Sequence, residues 1–477
     1  MHRYFRWFAG LVALLLIGGM LAACGGGATT PPAAATAAPA APEATAAPAA
    51  PEATAAPAAG AGGNLQVIWF AWQPCQALGE LVKTYPDATV EVRCVPIGQW
   101  HDQIFTDFAA KGGADIVILD SQFIGEAVAG GHVAELTDWM KTNIEVDDFV
   151  PAALTAYGEY PAGSQRYYGV AIEGDTQMLV YRKDLFEDAA IKDAYKAKTG
   201  KDLAIPTKWT DLLAIAQFFK ETPDDVDKVP NGYTTFWCGT PACYDQVQTV
   251  WNQMAWSFGG ELWDPATYQV EGILNSDVNL KALEFAAELF QTGPDGSGDF
   301  QFNETVSALC DGSVAMGTIW FGFGPAFIDP AGCKEAANLS YDLVPGEEKH
   351  ITSLGGMGLS ISSYSQNQES ALAFVKWIES KEIQIEWAKL GGFSARKSVL
   401  ESPEFNDAAP YNPIFAKAYL DVKDFWNVPE YNKLLQIQGE QLNLAITGQA
   451  DPKSALDTIA AEQQRIFDEA YPNGPPQ

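Results

Sequence analysis

The chain is poor in positive charge. Its 477 residues include 29 lysines and arginines against 60 aspartates and glutamates, a formal net charge of -31 at pH 7. Nucleic acids and anionic membrane surfaces are gripped by clustered Lys and Arg, so this balance excludes them as partners. Histidine is scarcer still, with His2, His101, His132 and His350 scattered along the chain. No cysteine pair has a zinc-like partner pair either, so no metal site is expected. A GxSxG nucleophile motif is missing. The acidity speaks first for solubility and only then for a cationic ligand.

Cysteine is limited to seven residues, and their placement is informative. Cys24 closes the run Leu21-Ala22-Ala23-Cys24, behind Arg3, Arg6 and an apolar stretch from about Trp7 to Met20 that is too short for a stop-transfer helix. This is the pattern of a lipoprotein signal, with residues 1–23 removed and Cys24 carrying a diacylglyceryl group. The mature chain is then expected outside the cytoplasm, anchored to the cell membrane. Residues 24–63 hold almost nothing but Ala, Pro, Gly and Thr, and APEATAAPA occurs at 41–49 and again at 50–58. Without large apolar side chains this segment cannot offset the entropy of ordering, so it is expected to act as a tether. Six cysteines remain: Cys75, Cys94, Cys238, Cys243, Cys310 and Cys333. They allow 15 connectivities, and their clustering favours 75 with 94, 238 with 243 and 310 with 333.

From Asn64 onward the composition is globular and the length favours two lobes. Leu65 to Trp72 and Thr89 to Val95 read as strands, Gln99 to Ala110 as a helix, and Asp115 to Leu119 as a strand buried on both faces. This β-α-β-α-β order predicts a mostly parallel sheet covered by helices, with ligand-contacting residues beyond the carboxyl ends of its strands. Trp72 and Gln73 follow the first strand, and Asp120, Ser121 and Gln122 follow the third. Asp120 also suits a helix N-cap. Tyr167 to Asp184 reads as two strand-like pieces around the polar group Glu173, Gly174, Asp175 and Thr176, either a satisfied turn or a crossing that faces a cleft. Helices are expected at Trp209 to Lys220, Gln246 to Phe258 and Leu280 to Gln291, and a strand at Val314 to Phe323. Strands and helices resume from Leu354 to the end.

Several segments together, YYGVAIEGDTQMLVYRKDLF (167–186), PTKWTDL (206–212), SFGGELWD (257–264), DGSVAMGTIW (311–320) and GGFSARKSVLESPEF (391–405), resemble the extracellular solute-binding proteins of carbohydrate ATP-binding-cassette (ABC) importers. The resemblance covers essentially all of 64–477. It implies an α/β, two-lobed, periplasmic-binding-protein-like type II fold, with a ligand cleft between lobe 1 (64–172 and 343–395) and lobe 2 (173–342 and 396–477). It implies a monomeric, non-catalytic receptor without a cofactor, whose partners are a sugar or oligosaccharide and the transmembrane subunits of a permease.

Sugars are recognised by aromatic faces against their C–H side and by polar groups that pair their hydroxyls. The resemblance points to Glu173 as an acid facing the cleft, to Trp320 or Phe323, in an aromatic group with Phe321, as the stacking aromatic, and to Trp426, which precedes a segment, NVPEYNKLL (427–435), that resembles the family's last contribution to the site. Asp175 suits a ligand contact or a turn cap. Asn252 and Trp256 lie on a helix whose spacing also suits core, and Arg396 suits either sugar hydroxyls or a structural ion pair. The competing functions are a binding protein for a polyamine or other cation and a carbohydrate-active enzyme with paired carboxylates. DGSGD at 295–299 has part of a calcium loop, but Phe300 stands where that loop needs glycine, which favours a solvated turn.

Overall fold

The computed structural model describes residues 63–221 and 231–475. Cys24, the signal segment and all but the last residue of the expected tether lie outside the described residues. Everything below belongs to one unit, Ala59–Gln477.

Nine strands form the framework. They are β1 (Leu65–Phe70), β2 (Val90–Val95), β3 (Ile116–Leu119), β4 (Val170–Arg182), β5 (Asn231–Thr234), β6 (Val314–Trp320), β7 (Leu339–Leu343), β8 (Thr352–Ile361) and β9 (Val422–Lys423). Their order is β2-β1-β3-β8-β4-β6-β5, with β7 added to β4 and β9 to β8. β1 runs parallel to β2 and β3, as the β-α-β-α-β reading requires. The run IVIL of β3 is buried at every position, which explains its lack of polar alternation.

β4 and β8 are the longest strands, and β4 changes partners along its length. Its first half, Val170 to Thr176, pairs with Leu359 to Leu354 of β8, with an irregularity between Ala171 and Glu173. Its second half pairs with β6 on one side and β7 on the other. The polar group 173–176 is therefore no turn. It continues one extended strand of 13 residues, of which only Tyr181 is not fully buried. The run expected to be a strand to Phe323 stops at Trp320, where Phe321–Phe323 form a single 3-10 turn.

The helix Gln246–Ser257 is buried at every one of its 12 residues, although half of them are polar or carry hydroxyls. Such burial requires partners. Gln248 Nε2 donates to the Leu435 carbonyl at 2.9 Å, Gln438 Nε2 to Asn252 Oδ1 at 2.6 Å, and Gln253 Nε2 to Gln177 Oε1 on β4 at 2.7 Å. Three disulfides join Cys75 to Cys94, Cys238 to Cys243 and Cys310 to Cys333.

Candidate functional site

The carboxyl ends of β1 and β3 meet the middle of β4 and β8 at a narrow cavity of about 70 Å³. Trp72, Asp120, Ser121, Gln122, Asp175, Trp320 and Phe323 all line it. Trp72 leaves β1 as the N-cap residue of helix Gln73–Leu81 and stacks on Phe70 at 4.7 Å. Trp320 ends β6, backed by Phe236 at 6.2 Å with nearly parallel rings. It fits because Gly355 faces it on β8: a β-carbon there would stand 2.6 Å from Trp320 Cζ3. Phe323 leans on Phe302 at 5.2 Å.

Asp120 occupies the N-cap position of Ser121–Ala129 but makes no side-chain capping bond. Its carboxylate instead accepts from Ser121 Oγ and from Tyr244 Oη, each at 3.2 Å. Asp175, opposite Gly355 in the β4–β8 register, accepts from the backbone N–H of Thr176 at 2.8 Å and of Gly322 at 3.3 Å. Tyr244 and Asp245 enter from the loop closed by Cys238 and Cys243, and Asp424 and Phe425 enter directly after β9. Gln122 Nε2 donates to Asp245 Oδ2 at 3.1 Å.

Two further grooves share walls with this cavity. One, of about 590 Å³, takes Phe70, Trp72, Phe302 and Phe323 from it and adds the amides of Gln73, Gln246 and Gln301. The other, of about 730 Å³, takes Asp424 and Phe425 and adds Trp256 and Trp263. Gln73 and Trp256 thus flank the cavity.

Five further expected residues line neither the cavity nor these grooves. Glu173 is fully buried, accepting from Trp387 Nε1 at 2.7 Å and from the Phe393 N–H at 3.2 Å. Asn252 belongs to the buried polar helix described above. Phe321 sits among Phe393, Tyr411 and Phe415. Arg396, 4% exposed, donates to Asp148 at 2.9 Å, to the Glu379 carbonyl at 2.9 Å and to Glu145 at 3.3 Å. Trp426 packs on Phe425 and Tyr431, while its neighbours Asp424 and Phe425 face the cavity. In the DGSGD region, Glu304 is committed to a capping box with Gln301. The cavity residues that sequence reasoning missed include Tyr157, Tyr244, Asp245, Phe302, Asp424, Phe425 and Tyr431. Of these, Tyr244 and Asp245 directly follow the expected Cys238–Cys243 bridge, and Tyr431 lies in the segment 427–435 that the resemblance pointed to.

Residues 71–385 match the family described as bacterial extracellular solute-binding protein. The chain belongs to that family. This solute-binding protein is 23% identical to the galactooligosaccharide-binding protein of Bacillus subtilis, over 83% of this chain and 88% of that one. A solved ABC transporter solute-binding protein from Agrobacterium radiobacter, in complex with ribitol, is 26% identical with a TM-score of 0.70, covering 85% of this chain and 98% of that one. Maltose-bound MalE3 of T. maritima, 20% identical, also has a TM-score of 0.70, with 84% and 99% covered. The fold is the two-lobed α/β fold of periplasmic binding proteins, and the family acts outside the cytoplasm.

The electrostatics of its cavity are unusual, because no Lys, Arg or His lines it among the described residues. Desolvation, the largest cause in each case, pushes Asp424 up to about 6 and Asp245 up to about 7, and the charge of Asp424 adds to the latter shift. Asp120 is also held well above the ordinary aspartate value, by burial and then by the charges of Asp245 and Asp424. A carboxyl that holds its proton more tightly folded than unfolded stabilises the fold most below the unfolded value near 4, and loses that contribution as pH rises through the folded value. The melting temperature of the ligand-free protein is therefore expected to fall between about pH 5 and about pH 8, less steeply in Asp245→Asn. Thermal denaturation across that range checks it.

Proposed function

We propose that this protein captures a sugar or oligosaccharide in the cleft between its lobes and delivers it to the transmembrane subunits of an ABC importer. The observation that carries the reading is the cavity itself, where Trp72, Trp320 and Phe323 offer ring faces beside carboxylates and amides. Its extension into grooves on two sides suits more than one sugar ring. The likeness to the galactooligosaccharide-binding protein and to the ribitol-bound structure supports the same ligand class.

The cavity is narrow, and we take the sugar to enter when the lobes part. Ligand bridging both lobes then shifts the ensemble back to the closed form. We take lobe 1 as 64–172 and 343–395 and lobe 2 as the remainder, and the protein as a monomeric receptor rather than an enzyme. The lipid-bearing Cys24 and the Ala/Pro-rich segment would keep it within reach of its permease, up to about 100 Å from the membrane at roughly 3 Å per residue.

Calorimetric titration with mono- and oligosaccharides tests the reading. A sugar at 100 times its dissociation constant should add about 2.7 kcal/mol of stability, raising the melting temperature by about 3 °C in a domain of this size. No sugar binding at millimolar concentration would refute it, and release of new reducing ends would point to an enzyme.

The pinned loop gives a second expectation. Tyr244 holds a positive φ of 59° directly after Cys243, and Asp245 follows it. Replacing both Cys238 and Cys243 with serine should cost about 2 kcal/mol, the scale for so short a closed loop. Affinity should fall several-fold as well, because two cavity side chains lose their fixed backbone. Thermal denaturation and calorimetry on the double variant measure both effects.

A further inference from the structure

We propose that the saccharide taken by this cleft carries an amine, whose protonated nitrogen sits among Asp120, Asp245 and Asp424 while its ring lies against Trp72, Trp320 and Phe323. This rests on the sugar-capture reading and names the chemical class within it.

The three carboxylates all line the cavity, and the partners found for them are neutral. Asp120 has Ser121 Oγ and Tyr244 Oη, Asp245 has Gln122 Nε2, and Asp424 has the backbone N–H of Phe425 at 2.8 Å. The nearest cation in sequence, Lys423, is turned away: it pairs with Glu261 and lies over the Trp256 ring at 5.2 Å, in the neighbouring groove. Desolvated like charges repel, and a cation placed among them relieves every pair at once. A neutral sugar brings hydroxyl donors but no charge.

A second, independent observation comes from the amide next to them. Gln122 is 2% exposed and lines the cavity, and with its Nε2 committed to Asp245 its Oε1 finds no partner among the described residues. The lining thus lacks positive charge, and Gln122 Oε1 lacks a donor; an ammonium group supplies both. A metal ion does not fit, because among the described residues no three His, Cys, Asp or Glu side chains converge closely enough to hold one. A saccharide rather than a bare polyamine suits the rest of the cleft, since the adjoining groove presents the amides of Gln73, Gln76, Gln246, Gln301 and Asn303, which pair with hydroxyls as donor or acceptor.

The test is calorimetric titration of the full chain with glucosamine, galactosamine and the glucosamine disaccharide chitobiose, each beside the sugar with a hydroxyl in place of the amine: glucose, galactose and cellobiose. Spermidine is run as a cation without a sugar ring. In at least one pair the amine-bearing member should bind at least tenfold more tightly. Asp245→Asn, and separately Asp424→Asn, should cut that preference to within threefold while circular dichroism stays unchanged. Neutral members binding as well or better in every pair would overturn the proposal and leave sugar capture standing. Binding of spermidine with no saccharide would overturn both sugar capture and the saccharide named here. If nothing binds, both fall. A variant that fails to fold does not decide the matter, because the wild-type pairs already do.

Discussion

Glu173→Ala lowers the stability of the folded chain by about 3 to 5 kcal/mol, the largest effect expected of a single change outside the cavity. Its carboxylate accepts from Trp387 Nε1 and the Phe393 N–H, in a place with no access to water. Alanine leaves both donors buried and unpaired, each at about 1 to 3 kcal/mol, and opens a void beside the Trp387 ring. Glutamine has the same shape and keeps one acceptor oxygen, so Glu173→Gln should cost only about 1 to 2 kcal/mol. Denaturant unfolding of the two variants beside the parent separates them. Equal losses would mean that the packing of the side chain, and not its two hydrogen bonds, holds the segment 387–393 to β4.

Trp72→Ala is expected to weaken saccharide binding by about 30- to 100-fold, the range of a central aromatic anchor, while the melting temperature changes little. The separation is possible because Trp72 is only half-buried, whereas Trp320 is 7% exposed and its loss would leave a core cavity as well. The indole borders both the cavity and the amide-lined groove, and it packs close to Gly322, where a β-carbon would lie 2.6 Å from its Cζ3. Titration of the variant with the tightest sugar found for the parent gives the number. Unchanged affinity would remove Trp72 from the site.

Sequence reasoning reached the parts of the cavity lining that follow directly from a strand. β1 and β3 announce themselves as apolar runs, and the rule that ligands gather beyond their carboxyl ends leads to Trp72 and Asp120 to Gln122. β6 likewise delivers Trp320 and Phe323. Asp175 and Glu173 show where such reasoning stops. Both lie on β4 two residues apart, but the Trp387 indole covers one and not the other. That cover depends on Gly392, where a β-carbon would stand 2.0 Å from Trp387 Cε2. Contacts between segments more than 200 residues apart leave no periodic mark in a chain. Tyr157, Asp424 and Tyr431 arrive in the same way, by tertiary packing of a helix end, a segment after a two-residue strand and a helix start. Trp426 drew attention because it precedes a segment that resembles the family's last contribution to the site, yet the residues of its own segment that line the cavity are the two before it.

Gly355 was described as space for an indole, but together with its neighbour Gly356 on β8 it has a second effect. Gly356 holds a φ of +123°, and a β-carbon there would stand 2.2 Å from the Glu173 carbonyl oxygen of β4. Two adjacent residues without side chains, one in a region closed to other residues, thus lie in the part of β8 that lines the cavity. A side chain at either one would have to displace the Trp320 ring or the β4 backbone, so this wall can be narrowed only by moving β6 or β4.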